Sequence, residues 1–181
     1  GEGLFFSDMP AIAKCFGRTH NPIKTLTYKG LSKTRKSITT SQVKFVLDEE
    51  PTFPTILSVD VGLIHNSFAF SIVGLPDDYE EDLDPEDRGG DWTPVKVFAV
   101  GEVIPREEAR ISLTHVYEKC LLPLVEQYNV AYFVSDRWNN AKIASDLENT
   151  HSVEPVEWKA KWPDFECLRD LVYSGNIEFP K

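Results

Sequence analysis

The stretch Thr55–Gly62, TILSVDVG, decides the fold of this chain, because it is a short apolar run that ends in an aspartate and a glycine. Runs of this length that are rich in β-branched residues are typical of buried strands. The next apolar run, SFAFSIVGL over Ser67–Leu75, is close enough in sequence to form an antiparallel hairpin with the first. A third run, PVKVFAVGEVI over Pro94–Ile104, completes a predicted three-stranded meander.

The pattern changes to helical spacing after the meander. Apolar residues recur at intervals of three and four over residues 107–129, which predicts an amphipathic helix that Pro123 bends or divides. Val130–Val134 then reads as a strand buried on both faces, since it is almost wholly apolar. We expect Asn139 or Asn140 to cap the helix that follows.

The C-terminal part adds a fifth strand within VEPVEWKA, residues 153–160, and a helix within WPDFECLRDLVYSGNI, residues 162–177. Gly175 is expected to end this helix, and Phe165 to lie on its apolar face with Leu168. The order β-β-β-α-β-α-β-α predicts an RNase H-like α/β fold. In that fold an antiparallel three-strand meander and parallel strands form a mixed central sheet flanked by helices.

The length of 181 residues suits one domain with an additional arm. Residues 1–50 are predicted to be a basic N-terminal arm or linker, and residues 51–181 to be the folded domain. No acidic residue lies between Asp8 and Asp48, and eight basic residues do, among them Lys33, Arg35 and Lys36. These three side chains are candidate contacts to the phosphates of DNA.

The net charge of −10 does not exclude a nucleic-acid partner, because most of it is local. Residues 76–91 hold nine acidic residues and one arginine, a net charge of −8, so the rest of the chain is nearly neutral. We expect this acidic run to be a solvated loop between the second and third strands. Whether it restrains DNA binding, docks a partner or only aids solubility stays open.

No apolar run is long enough to span a membrane and no signal segment opens the chain, so we expect a protein that is neither membrane-bound nor secreted. Cys15, Cys120 and Cys167 lie far apart, without a CxxC pair or a histidine at zinc-ligand spacing. Buried, reduced thiols are therefore expected, and neither a zinc site nor a disulfide framework.

Asp60 and Asp136 are the candidate catalytic residues, because each closes an apolar strand and the two strands are adjacent in the predicted topology. Their carboxylates would meet at the sheet edge where open α/β sheets bind ligands. Mg²⁺ and Mn²⁺ prefer oxygen ligands, so the pair would form part of a metal site for phosphodiester hydrolysis. Alternatively, Asp60 belongs to a turn before Gly62 and Asp136 is an acid at a helix N-terminus.

Two further polar residues lie beside these carboxylates in sequence. His65 could reach a phosphate or a metal-bound water, or could simply be a surface histidine on a turn. Arg137 could pair with the scissile phosphate, or could form a structural ion pair with Asp136. Trp138 and Trp162 could stack on bases or belong to the core.

Three segments together resemble a known family: SVDVGLIHNSFAF at 58–70, YFVSDRWNN at 132–140 and WPDFECLRDLVYSGNIEFP at 162–180. In order and spacing they are similar to the nuclease domain of the terminase large subunit. That protein is the motor and nuclease that packages DNA in tailed bacteriophages and, by distant relationship, in herpesviruses. The resemblance covers roughly Thr55–Pro180.

The resemblance implies a metal-dependent endonuclease domain that cuts duplex DNA during viral genome packaging, by two-metal-ion phosphodiester hydrolysis. It makes Asp60 the first and Asp136 the second metal-binding carboxylate, with Mg²⁺ or Mn²⁺ as cofactor. The family's third acidic ligand has no counterpart before Lys181, so we expect the family's C-terminal segment to be missing from this sequence. Two metal ions are expected only when that third ligand is present. Asp164 and Asp170 are expected to be capping or solvated acids.

The implied partners are double-stranded DNA, the terminase motor domain, the small subunit and the portal or procapsid. No phosphate-binding GxxxxGK[ST] loop occurs in the sequence, so the motor would lie on another domain or chain. The implied location is the host cytoplasm, or the nucleus for a eukaryotic virus.

Three other readings are weighed against this one. Sugar kinases and actin-like ATPases share the strand-Asp-x-Gly opening, but they need a second lobe and a second glycine-rich loop, which SDRWNN at 135–140 does not supply. Another RNase H-like nuclease or resolvase uses the same carboxylate chemistry. A non-catalytic docking module with an incomplete metal site would use the acidic run or the basic arm instead.

Overall fold

The computed structural model of the chain describes residues 5–16, 51, 53–61, 68–75, 95–103, 112–136 and 140–179. Within these residues, no helix is long and apolar enough to cross a membrane. The acidic run 76–91 and most of the predicted N-terminal arm fall outside them, so the expectations for both segments stay predictions.

Six strands form one mixed sheet in the order β5-β4-β1-β2-β3-β6. Strand β1 pairs antiparallel with β2, and β2 with β3, which is the predicted meander. The other three pairings, β1 with β4, β4 with β5 and β3 with β6, are parallel. The RNase H-like sheet with flanking helices is therefore confirmed. The strands are β1 Thr55–Val61, β2 Phe68–Gly74, β3 Val95–Val103, β4 Val130–Ser135, β5 Glu154–Glu157 and β6 Ile177–Glu178.

Five α-helices accompany the sheet in the described part of the chain: α1 Met9–Lys14, α2 Leu113–Val116, α3 Leu122–Gln127, α4 Ala141–His151 and α5 Trp162–Ser174. A π-helical turn, Tyr117–Leu121, joins α2 to α3, and Pro123 follows it in the first turn of α3. Proline lacks the N–H that a helix interior needs, so the wider turn before it accommodates the missing bond. The irregularity predicted around Pro123 is therefore a π-helical turn that precedes it, and the backbone stays right-handed helical at both junctions.

The two faces of the sheet are buried by different elements. Strand residues alternate between faces, so Leu57 and Val59 face a large core to which the α2–α3 segment and α4 also contribute. Val73, Val95 and Val97 face the other way, into a smaller core with α1, α5 and β6. This smaller core lies at the β3–β6 end of the sheet, far from β4 and β5.

Strand β4 differs from its prediction because one of its faces is not fully covered. Phe133 is buried, but Tyr132 beside it is 41% exposed. On α5, Leu168 packs on the smaller core, whereas Phe165 is exposed, so its predicted place on the apolar face is wrong. Cys167 on the same helix is also exposed, contrary to the expectation of three buried thiols.

Residues 5–16 contain α1 and lie against α5 rather than apart from the domain. Phe6 and Ile12 pack on the smaller core, and the Ser7 backbone N–H donates to Tyr173 Oη at 3.0 Å. At the other end of the segment, the rings of Phe16 and Phe179 stack with centroids 5.1 Å apart. The first described segment and the last therefore stabilise each other.

The ends of α4 and α5 follow from local sequence. Asn140 precedes α4 as predicted, but its buried side chain makes no capping bond and its Oδ1 has no hydrogen-bond partner. The Lys161 N–H donates to Asp164 Oδ2 at 2.7 Å, which confirms a capping role for Asp164 at the start of α5. Gly175, with φ of 72°, ends α5 in the left-handed conformation that glycine adopts without cost.

Candidate functional site

Asp60 lies near the end of β1, where the alternation of buried and exposed residues sets its position. Thr55, Leu57 and Val59 are buried on the large core, and Asp60 is exposed on the opposite face. An ionised carboxylate needs water or a cation around it, and the exposed face of β1 lets water reach the Asp60 side chain. The β1 backbone is paired on both sides, with β2 and with β4, and this pairing fixes the residue in place.

Asp136 directly follows β4, the parallel neighbour of β1. The pairs Ser58–Val134 and Val59–Ser135 are in register, so Asp60 and Asp136 are the next residues along the two strands. Neighbouring strands lie about 4.8 Å apart, and residues in register share a face of the sheet. The two predicted site residues are therefore brought together at the carboxyl ends of adjacent parallel strands. Both are exposed.

This pair can act as part of a site for a hard divalent cation. Carboxylate oxygens on rigid neighbouring strands are the donors that Mg²⁺ and Mn²⁺ prefer, so the donor set fits such an ion. Among the described residues, however, no group of three or more His, Cys, Asp or Glu side chains could hold a metal ion. The described part of the chain thus supplies two carboxylate ligands and not a third.

The nearby acidic residues do not complete the set. Glu157 ends β5 in register with Ser135, one position before Asp136, so it belongs to the opposite face. Asp164 caps α5, and Asp170 is exposed on that helix.

The remaining predicted site residues fall outside the described residues. This applies to His65 and Arg137, and to Lys33, Arg35 and Lys36 of the N-terminal arm. Their roles stay predictions. Trp138 lies outside as well, whereas Trp162 is described and is 62% exposed, so its core alternative is wrong.

Trp158 is a candidate site residue that sequence reasoning missed. Its backbone N–H donates to Ser135 O at 3.1 Å, which is the last bond of the parallel pair Ser135–Glu157. Trp158 therefore directly follows β5 as Asp136 directly follows β4, and its side chain is 57% exposed. The signal in the sequence is WKAKW at 158–162, in which two lysines lie between two tryptophans.

Comparison with solved structures finds the same fold in viral proteins. The crystal structure of the HK97 bacteriophage large terminase superposes with a TM-score of 0.56 at 13% identity, over 98% of this chain and 34% of that one. The large terminase of a thermophilic bacteriophage superposes with a TM-score of 0.53 at 13% identity, over 74% of this chain and 30% of that one. No protein-family model and no curated protein matches the sequence.

These likenesses establish the fold and agree with the resemblance that the sequence motifs indicated. The chain adopts the fold of part of a phage large terminase, and it spans about a third of the length of the two proteins. A further structure, the large terminase nuclease from thermophilic phage G20c with bound magnesium, has a TM-score of 0.48 at 14% identity, over 99% of this chain and 75% of that one.

Proposed function

We propose that this chain is the nuclease domain of a DNA-packaging terminase large subunit and that it hydrolyses phosphodiester bonds of duplex DNA with divalent cations. One observation carries the proposal: Asp60 and Asp136 directly follow Val59 and Ser135, the last pair in register between two adjacent parallel strands. The large-terminase fold adds support, since it makes a DNA substrate the natural interpretation of the paired carboxylates.

Asp60 and Asp136 would hold Mg²⁺ or Mn²⁺ through their carboxylate oxygens. When bound, such an ion lowers the pKa of a coordinated water and offsets negative charge at a phosphate. The two side chains contribute position and charge, because the paired backbones of β1 and β4 fix where the carboxylates lie. A second ion needs a third acidic ligand from outside the described residues.

His65 and Arg137 are proposed contacts to the phosphate beside these carboxylates, and Lys33, Arg35 and Lys36 to the flanking DNA backbone. Binding through phosphates and cations carries little base information, so cutting is expected to show little sequence preference. The proposed partners are double-stranded DNA, a terminase motor domain and small subunit, and the portal or procapsid. The proposed location is the host cytoplasm, or the nucleus for a eukaryotic virus.

The test is cleavage of supercoiled plasmid DNA by the purified chain in Mg²⁺ and in Mn²⁺. Asp60→Asn and Asp136→Asn should each abolish nicking while the circular dichroism spectrum stays that of the wild type. Asp170→Asn is the matched control, because Asp170 is exposed on α5 and should leave nicking unchanged. A folded Asp60→Asn protein that nicks at the wild-type rate would remove the proposal.

A docking module with an incomplete site is the second candidate, favoured by the finding of only two paired carboxylates in the described part of the chain. It predicts no nicking by the wild type in either metal and no loss of Mn²⁺ affinity in Asp60→Asn. Another RNase H-like nuclease would nick DNA in the same assay, but it would prefer a branched or RNA-containing substrate to a linear duplex.

A further inference from the structure

The connection between β5 and α5, Trp158–Trp162, is a basic aromatic segment with the sequence WKAKW. All five residues are exposed, and the two tryptophans are among the most exposed large apolar side chains of the described chain. The segment contains Lys159 and Lys161 and no acidic residue. Exposed tryptophan is costly to leave in water and commonly marks a binding surface.

The backbone holds both ends of this segment in place. At one end, the Trp158 N–H donates to Ser135 O at 3.1 Å. At the other end, Lys161 N–H donates to Asp164 Oδ2 at 2.7 Å, and the Trp162 ring lies edge-on to Phe5 with centroids 5.3 Å apart. The segment is thus preorganised, so a ligand would bind it with little loss of conformational entropy.

The segment begins beside the paired carboxylates. Val59, Ser135 and Glu157 form one row across β1, β4 and β5, and Asp60, Asp136 and Trp158 each come directly after a member of that row. Paired strands lie about 4.8 Å apart, so the segment begins one residue beyond a position that neighbours Ser135. A strand of DNA at the carboxylates would therefore extend over the segment.

We propose that the basic aromatic segment binds the DNA strand next to the carboxylates, with Lys159 and Lys161 on phosphates and Trp158 stacked on an unpaired base. This proposal rests on the proposed nuclease function, because the carboxylates define where the DNA lies. Lysine side chains bind phosphates through charge, and aromatic side chains stack on any base that is not paired. The segment should therefore favour DNA with a single-stranded or frayed end over a closed duplex.

A protein partner is a weaker account of the same segment. Protein interfaces of ordinary size use roughly 20–30 residues a side, whereas this surface is one short connection. Its two positive charges without an intervening acid complement a phosphate backbone. Glu157 and Asp164 flank the segment, and the Asp164 carboxylate already accepts a hydrogen bond from the Lys161 backbone N–H.

The test is DNA binding measured by fluorescence anisotropy in EDTA, so that metal-dependent cutting does not enter. The probes are a fluorescein-labelled closed hairpin duplex and the same duplex with an unpaired overhang, each titrated across a range of salt. The charge variant is Lys159→Gln with Lys161→Gln. Its matched control is Lys96→Gln with Lys119→Gln, which removes the same charge elsewhere: Lys96 lies where β3 pairs with β6, and Lys119 lies on the π-helical turn Tyr117–Leu121.

The charge variant should weaken binding to both probes. It should lower the slope of log affinity against log salt by about 1.4 if the two lysines contact a single strand, and by about 1.8 if they contact duplex. The matched control should leave the slope unchanged. Equal slopes in the wild type and the charge variant would overturn the lysine contacts. Equal losses of DNA affinity in the charge variant and its matched control would also overturn them, since they would show only a general effect of net charge.

Trp158→Ala should weaken binding to the overhang probe by roughly 5-fold to 100-fold with a much smaller effect on the closed duplex. Trp158→Phe should restore most of the affinity, because phenylalanine still stacks. Unchanged affinity of Trp158→Ala for the overhang probe would overturn the stacking role. A wild type that binds a protein partner and neither DNA probe would overturn it as well. If Asp60→Asn loses Mn²⁺ while these variants bind DNA like the wild type, the segment's role fails and the proposed nuclease site stands.

Discussion

Asp60 and Asp136 directly follow the last pair in register between the parallel strands β1 and β4, which is Val59 with Ser135. The two residues are 76 positions apart in sequence, and only this pairing brings them to one edge of the sheet. Carboxylates on neighbouring strand ends repel each other when both are ionised, and a bound cation would offset that repulsion.

Gly101 on β3 should not tolerate a side chain. It pairs with Phe70 on β2, and a Cβ at this position would fall 2.7 Å from Phe70 Cε1, with the ring itself buried. Gly101→Ala must displace that ring, which should lower the free energy of unfolding by about 1–3 kcal/mol. Denaturant unfolding measures this change.

The control for Gly101 is the adjacent residue on the same strand. Val100 is exposed, and Val100→Thr keeps a β-branched side chain, so the free energy of unfolding should change by less than about 0.5 kcal/mol. Equal stability of Gly101→Ala and the wild type would show that the ring does not pack over Gly101.

The three thiols should differ sharply in reactivity. Burial raises the pKa of the Cys120 thiol to about 12, so very little thiolate forms there at mildly alkaline pH. The Cys15 thiol is buried and donates a hydrogen bond to Val172 O at 3.2 Å, whereas the Cys167 thiol is exposed. A maleimide should therefore label one thiol rapidly in the folded chain.

The site of that label can be checked by mass spectrometry of the digested protein. Cys167→Ser should remove the rapid label, and Cys120→Ser should leave it. Fast labelling that persists in Cys167→Ser would show that the large core or the packing around Cys15 opens more readily than the structure indicates.

Tyr173 should hold the N-terminal segment on α5. Its hydroxyl accepts from the Ser7 N–H at 3.0 Å, and its hydrogen bonds with Ser7 are the main cause that lowers the pKa of Tyr173. Tyr173→Phe removes the acceptor, so amide hydrogen exchange at Ser7 and Asp8 should accelerate while exchange in β1 is unchanged. Tyr132→Phe, on the exposed face of β4, should have no such effect. Unaltered exchange at Ser7 in Tyr173→Phe would rule out this anchor.

The sequence was sufficient to predict the meander, the parallel β4 and the placement of Asp60 and Asp136 at the ends of adjacent strands. These features depend on local apolar runs and on the few topologies that such an order permits. Both aspartates could be found because each interrupts hydrophobic residues at the end of a strand. The same local information predicted a helix irregularity near Pro123.

Features that depend on distant packing could not be predicted in this way. Strand β6 has two residues and exists because it pairs with β3, far away in sequence. Tyr132 and Phe165 are apolar enough to predict burial, but no described helix covers Tyr132, and α5 turns Leu168 rather than Phe165 to the core. The sequence pattern places Trp158 within the predicted fifth strand, and only the pairing of Glu157 with Ser135 shows that Trp158 directly follows β5 at the end of the sheet where Asp136 follows β4.

Mn²⁺ binding to the purified chain, followed by the electron paramagnetic resonance signal of the free ion, tests the central claim most directly. The account predicts that the wild type removes Mn²⁺ from solution, that Asp60→Asn and Asp136→Asn each abolish this binding, and that Asp170→Asn binds as the wild type does. Undiminished Mn²⁺ binding in folded Asp60→Asn and Asp136→Asn proteins would contradict the claim that these two carboxylates share a cation.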